Sequence, residues 1–180
     1  EYALFNLSTE ELTKDTGLPA NELFFPAWQT GILRYGKGLE ASTLTMALNG
    51  PGGHRHTDNL SLFYVDGKDR VLGDLGYVGD MPVNKWIKST LSHNVVVVDG
   101  KSQRMKERRP ELSLMATSPM ASIIEAESAG YEQCDVYRRR VVMVKVDEHD
   151  SFAVDIFTVR GGNEHRYRVY SELASSDVSE

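Results

Sequence analysis

Nowhere before Gly100 do apolar residues keep a 3.6-residue period long enough for an extended helix. What recurs is short runs rich in β-branched and aromatic residues, each closed by a turn signal. Thr30 to Tyr35 is broken by Gly36-Lys37-Gly38, and Ser42 to Leu48 alternates as a second run. Asn59 to Val65 and Arg70 to Leu75 flank Asp66-Gly67-Lys68-Asp69, which reads as a hairpin, and His93 opens a third strand, Val95 to Val98, that closes on Asp99-Gly100. Further on, Leu112 to Ala126 holds strand-like pieces, notably from Ala121. Tyr137 to Val146 and Ser151 to Val159 flank the polar turn Asp147 to Asp150, and His165 to Tyr170 resumes the pattern after Arg160 to Asn163. Only Ser8 to Leu12 looks helical, with Ser8 or Thr9 as N-cap and Gly17-Leu18-Pro19 as its stop. Many short strands at turn-punctuated intervals predict an all-β fold, an antiparallel β-sandwich with a short helical lead-in.

Size and charge bound what such a sandwich can be. At 180 residues the chain makes one domain, or one domain and part of another. No run of apolar residues is long enough to span a membrane. A net charge of -6 argues against nucleic acid as partner, since such proteins show a basic footprint. One basic stretch does occur, Lys101 to Pro110, and it reads either as a solvated loop or as a cationic wall facing an anionic ligand. The single cysteine, Cys134, excludes an internal disulfide. The chain opens on Glu1 with no basic-then-apolar leader, so a targeting segment is expected to have been removed or to lie outside it.

The chemistry concentrates between Gly50 and Asp99, which holds three of the five histidines. His54 and His56 are two residues apart, so in extended backbone both side chains leave one face. A hairpin centred on Gly67-Lys68 sets Asp74 roughly opposite Ser61, several residues from His56. The simple ladder therefore closes no site unless the chain bends, which Gly52 and Gly53 permit. If His56, Asp74 and His93 converge, two imidazoles and a carboxylate leave room for water, a set that suits zinc. His54 need not share the metal, and its imidazole, titrating near working pH, can meet a substrate instead. The competing reading is a scatter of surface histidines with a turn aspartate.

The order of these motifs carries a resemblance. Gly-Pro-x-Gly-His-x-His-x-Asp from Gly50 to Asp58 is followed by Asp74-x-Gly76. Ser89-Thr90-x-x-His93-Asn94 comes next, with a valine strand and Asp99-Gly100. Tyr137-x-Arg139, Asp155 and Gly161-Gly162-x-x-His165 extend it, so that it covers roughly Phe25 to Tyr170. The sequence resembles the heparinase II/III-like polysaccharide lyases, which include heparin lyases and oligoalginate lyases.

That resemblance implies more than the residues show alone. Such enzymes place an α/α toroid of helical hairpins before the sandwich, with the active site in the cleft between them. Residues 1–24 would then be a lead-in from that N-terminal domain and 25–180 the sandwich, further strands lying beyond the C-terminus. The implied reaction is β-elimination on an anionic, uronate-containing polysaccharide, in the periplasm or outside the cell. His54 would sit at the substrate carboxylate, while His56, Asp74 and His93 would bind Zn2+ that holds cleft loops and is not the Lewis acid. Tyr77 and Asn94 are candidate substrate contacts, with packing and turn-capping as their alternatives. His165 follows the family pattern, whereas Tyr170 stands where many relatives have a further histidine. The catalytic tyrosine is expected in the toroid, so the isolated domain is expected to be inactive. Two other readings remain. One is a non-catalytic carbohydrate-binding sandwich with a structural metal. The other is a cupin-like metal enzyme, although cupins usually have a glutamate shortly after HxH, where this chain runs Asp58 to Phe63.

Overall fold

Alternation along the chain turns directly into sheet faces. In β3 (Ser42–Ala47), Ser42, Leu44 and Met46 point inward and the residues between them are only partly covered. In β9 (Cys134–Lys145), Tyr137, Arg139, Val141 and Met143 are the buried set. The computed structural model describes residues 22–49, 56–76, 78–104 and 109–171. Within them, β1 (Glu22–Phe25), β2 (Thr30–Tyr35), β3, β4 (Leu62–Asp66) and β5 (Asp69–Leu72) form one antiparallel sheet in that order. A second antiparallel sheet runs β10 (Ser151–Gly161), β9, β8 (Ala121–Glu127) and β7 (Glu111–Thr117). The short strands β6 (Val96–Val98) and β11 (His165–Tyr167) pair antiparallel at one end.

The two larger sheets pack as a sandwich. Leu33, Leu44 and Met46 from the first meet Ile124, Val141 and Met143 from the second in one apolar cluster. At Gly31 a Cβ would lie 2.2 Å from Ile124 Cδ1, so any side chain there would force the Ile124 side chain to shift. Tyr137 completes the core, meeting Tyr131 and Phe157 edge-on and donating its hydroxyl to the Val96 carbonyl at 2.6 Å. Among the described residues no sheet closes on itself, so the closed barrel of a cupin is absent and the antiparallel sandwich is the fold.

The structure refines three local expectations. The Asp66–Asp69 hairpin forms with Gly67 at φ +56°, but a one-residue bulge interrupts it between Tyr64 and Val65. Tyr64 pairs with Leu72, so continuing that register sets Asp74 level with Leu62 and not with Ser61. His93 does not open a strand. It ends a 3-10 turn, Thr90–Ser92, and β6 starts only at Val96. Finally, a one-turn helix α1 (Asn84–Ile87) interrupts the all-β stretch, its few apolar residues being too short a run to show a helical period. The helix expected at Ser8 to Leu12 lies outside the described residues.

At the heart of the sandwich is a charge. Arg139 is 0 % exposed, yet each arm of its guanidinium has partners. Nε and one terminal nitrogen hold the Asp155 carboxylate at 2.9 and 2.6 Å. That same nitrogen donates to Tyr167 Oη, and the other donates to the carbonyls of Leu60 and Asn94. The Phe157 and Tyr167 rings flank it, 5.1 and 5.6 Å from the guanidinium carbon. Removing one partner of a buried pair strands the other, a loss of roughly 3–5 kcal/mol. Arg139→Met should therefore lower the unfolding free energy by that order in urea titrations. A loss below about 1 kcal/mol would show that the network carries little of the fold's stability.

Candidate metal centre

Three segments outside the regular ladders deliver the site. His56 lies on the approach to β4, Asp74 two residues past the end of β5, and His93 just after the 3-10 turn. Backbone bonds staple the first of these to the turn region. Thr57 N–H donates to Lys88 O at 2.9 Å, and Thr90 Oγ1 donates to Thr57 O at 2.5 Å. These ties bring His56 against His93 across a gap of 37 residues, their ring centroids 5.0 Å apart. His56 Nδ1 and His93 Nε2 are 2.9 Å apart. Asp74 completes the triangle, with Oδ2 at 3.1 Å from His93 Nε2 and Oδ1 at 3.9 Å from His56 Nδ1. These are the only described residues whose His, Cys, Asp or Glu donor atoms cluster in a set of three within 4.8 Å of one another.

The protonation pattern leaves lone pairs pointing into the triangle. His93 Nδ1 lies 2.7 Å from Ser89 O, and a carbonyl can only accept, so Nδ1 carries hydrogen. Nε2 is then the lone-pair nitrogen of the neutral ring, and it faces both His56 and the carboxylate. A carbonyl behind a ligating imidazole is the usual device for fixing its tautomer and direction. Asp74 Oδ1 in turn accepts the Gly76 N–H at 2.6 Å. Two imidazole nitrogens and a carboxylate aimed at one point need either a shared proton or a cation between them.

The charges agree. Burial by itself would lower the His93 pKa, but the carboxylates of Asp74 and Asp58 outweigh it and the net shift is upward. Burial pushes Asp74 the other way, and the hydrogen bonds from His93 and Gly76 override it, leaving its carboxyl below the ordinary value. Asp58 is an electrostatic neighbour of the triangle that sequence reasoning passed over, although it stands in the His-x-His-x-Asp motif. It is 7 % exposed and bonded to Asn49 Nδ2 at 2.7 Å. Burial raises its pKa against the pull of His93. A small groove beside β3 and β4 reaches both Asp58 and Asp74.

Of the other expected residues, His54 and Tyr77 lie outside the described residues. Asn94 is 1 % exposed and spends its side-chain amide on Leu62 O and Gly73 O at 2.9 and 2.8 Å, so it faces the interior and not a cleft. His165 is exposed and bonds Gly161 O at 2.7 Å, and His149 sits in the β9–β10 turn. Tyr170 packs edge-on to Trp86 and donates to Leu91 O. Of the basic stretch, Arg104 is paired with Glu132 at 2.7 Å. A cavity of about 280 Å³, lined by Arg109, Glu111, Glu127 and Asp135 among others, shares no residue with the histidine–aspartate triangle.

In the cation-free protein the triangle predicts a pH dependence. His93, raised in the fold, contributes stability that is full below about pH 6.5 and lost as pH rises through its folded value. Asp74, depressed, contributes stability present above about pH 3.9 and lost as pH falls through its folded value. Chelator-treated protein should therefore lose stability relative to His93→Gln as pH rises from about 6.5. Parallel melting curves for the two proteins across that range would contradict the pairing.

Comparison with known proteins adds the family. The model of the heparinase II/III-like C-terminal family matches residues 19–179. No curated protein sequence matches the chain. Among solved structures, the heparinase III BT4657 gene product superposes with a TM-score of 0.68 at 20% identity, covering 80% of this chain and 23% of that one. The heparan sulfate lyase HepC of Pedobacter heparinus gives a TM-score of 0.62 at 16% identity, over 71% of this chain and 21% of that one. A structure of heparinase III gives 0.59 at 16% identity, over 69% of this chain and 21% of that one. The chain spans about a fifth of the length of these solved relatives, and at such identities the superpositions establish the fold. With nearly its whole length matched by the family model, the chain belongs to the heparinase II/III-like C-terminal domain family.

Proposed function

We propose that this chain is the β-sandwich part of a polysaccharide lyase that cleaves uronate-containing polysaccharide by β-elimination, with zinc held by His56, Asp74 and His93. The observation that carries the reading is the convergence of those three donor sets from separate segments of a family-matched domain. Four-coordinate zinc with bonds of about 2.0–2.1 Å sets its ligand atoms roughly 3.3–3.4 Å apart. The nitrogen pair at 2.9 Å and His93 Nε2 to Asp74 Oδ2 at 3.1 Å lie near that value, and the other Asp74 oxygen stands 3.9 Å from His56 Nδ1, so the residues fit the ion with one position left for water. Bound there, zinc supplies a cross-link between the three cleft-facing segments. The solved relatives named as heparinases and a heparan sulfate lyase support an anionic polysaccharide as substrate.

In this reading the chain's own contribution to the chemistry is His54, two residues before the metal ligand His56. Elimination removes the C5 proton of the uronate, forms the C4–C5 double bond and expels the C4 glycosidic oxygen. Negative charge builds on the carboxylate as the proton leaves, and a hydrogen-bonding or cationic group placed there lowers the barrier. His54 serves that purpose, pre-positioned at small reorganisation cost by the neighbouring centre. The proton-abstracting tyrosine comes from the helical toroid of the complete protein. Polymeric substrate of this kind is met outside the cytoplasm, in keeping with a periplasmic or secreted location.

Lyase products carry a double bond conjugated to the carboxylate and absorb in the ultraviolet. Incubation of the complete protein with alginate, heparan sulfate or hyaluronan should generate that absorbance, and this chain alone should not. His54→Ala should lower turnover by ~10²-fold or more while leaving zinc content intact. Failure of the complete protein on every uronate polymer would refute the lyase reading. Activity of this chain alone would refute the division of labour, and unchanged turnover in His54→Ala would refute the role given to His54.

A further inference from the structure

Asn94 follows a metal ligand directly and has no surface to offer a substrate, yet every polar atom it owns is engaged. Its Nδ2 donates to Leu62 O at 2.9 Å and to Gly73 O at 2.8 Å. Its Oδ1 accepts the Tyr170 N–H at 2.6 Å. Its main-chain N–H reaches Ser61 Oγ at 3.2 Å, and its carbonyl receives Arg139. Gly73 N–H donates to Tyr170 O at 3.2 Å, so Asn94, Gly73 and Tyr170 form a closed ring of three hydrogen bonds.

The consequence lies one residue away in each of two segments. Gly73 precedes Asp74 and His93 precedes Asn94, so the dipeptides 73–74 and 93–94 meet at two points. One is the Asn94 amide on the Gly73 carbonyl, and the other is the His93 ring on the Asp74 carboxylate at 3.1 Å. A single contact would let Asp74 swing about it, whereas two contacts fix both distance and direction. The Tyr170 backbone forms the third side and is itself held, its hydroxyl on Leu91 O at 2.6 Å and its ring against Trp86. No hairpin ladder does this for Asp74, because β5 ends at Leu72.

We infer that Asn94 is the positioning residue of the metal centre, setting the His93–Asp74 spacing through Gly73 and the Tyr170 backbone. This rests on the metal reading given above, and it assigns Asn94 to ligand geometry in place of substrate contact. Orienting partners behind metal ligands typically govern affinity by roughly 10–100-fold.

The test is zinc affinity by competition with a chromophoric chelator, together with the visible spectrum of the Co2+-loaded protein. Asn94→Asp keeps the acceptor for Tyr170 N–H and removes both donations, and Asn94→Ala removes the side-chain bonds altogether. Ser122→Ala serves as control, since it deletes a buried hydroxyl bonded to Thr117 Oγ1 between β8 and β7, away from the metal segments. Both Asn94 variants should bind zinc roughly 10–100-fold more weakly with an altered Co2+ band, while Ser122→Ala keeps wild-type affinity and spectrum. Wild-type affinity in Asn94→Asp overturns the inference, as does an equal weakening in Ser122→Ala, which would reduce the effect to general destabilisation. A variant unfolded without metal is titrated too: folding at wild-type zinc concentrations counts against the inference, and folding only at roughly 10–100-fold higher zinc supports it. A wild-type protein that binds no zinc fails at the earlier step, and it removes the metal reading itself.

Discussion

The buried guanidinium of Arg139 is the constraint on which the rest of the structure depends. Taking such a charge out of water carries a penalty of several kcal/mol, recovered only when its donors all find partners. Here the partners come from both halves of the molecule. Asp155 and Tyr167 belong to β10 and β11, while the Leu60 and Asn94 carbonyls belong to the segments that lead into β4 and out of His93. Moving either segment away would leave a charged donor unsatisfied in the core. The sandwich and the ligand-bearing loops are therefore fixed relative to each other by one side chain.

Above that anchor the metal site is assembled without help from the sheet ladders. His56 precedes β4, Asp74 follows β5 and His93 follows a 3-10 turn, so each ligand rests on bonds outside the strands. The electrostatics then bear on the proposed substrate. Were the proposed polyanion to dock at this centre, the carboxylates of Asp58 and Asp74 would oppose its approach. A divalent cation held by His56, Asp74 and His93 would balance those charges locally.

Much of this was legible in the sequence, and the parts that were not share a physical cause. Alternation marked β3, which buries one face and leaves the other partly covered, and short β-branched and aromatic runs closed by turn signals marked β2, β8, β9, β10 and β11. The three candidate ligands His56, Asp74 and His93 were named from residue type and motif order, and the structure brings their donor atoms within 4.8 Å of one another. The bulge at Tyr64–Val65 was not, since an extra residue in a strand changes no composition. Nor was the role of Asn94. A buried asparagine and a turn cap look alike in one dimension, and its partners Gly73, Leu62 and Tyr170 are backbone groups with no side-chain signature. Asp58 was quoted within its motif, but neither its burial nor its bond to Asn49 is advertised by anything local. Arg139 and Asp155 were quoted within the family motifs, but nothing local shows that they pair: Arg139 stands opposite Phe157 in the ladder and reaches Asp155 diagonally.

The central claim is that His56, Asp74 and His93 form one metal centre held by this scaffold. The most direct measurement is anomalous diffraction from crystals of the zinc-loaded protein, recorded on both sides of the zinc absorption edge. The account predicts a single strong anomalous peak inside the triangle of His56 Nδ1, His93 Nε2 and the Asp74 carboxylate. It also predicts that the peak vanishes in crystals of His93→Ala. No peak at that point, or one at His149 or His165 instead, would contradict it.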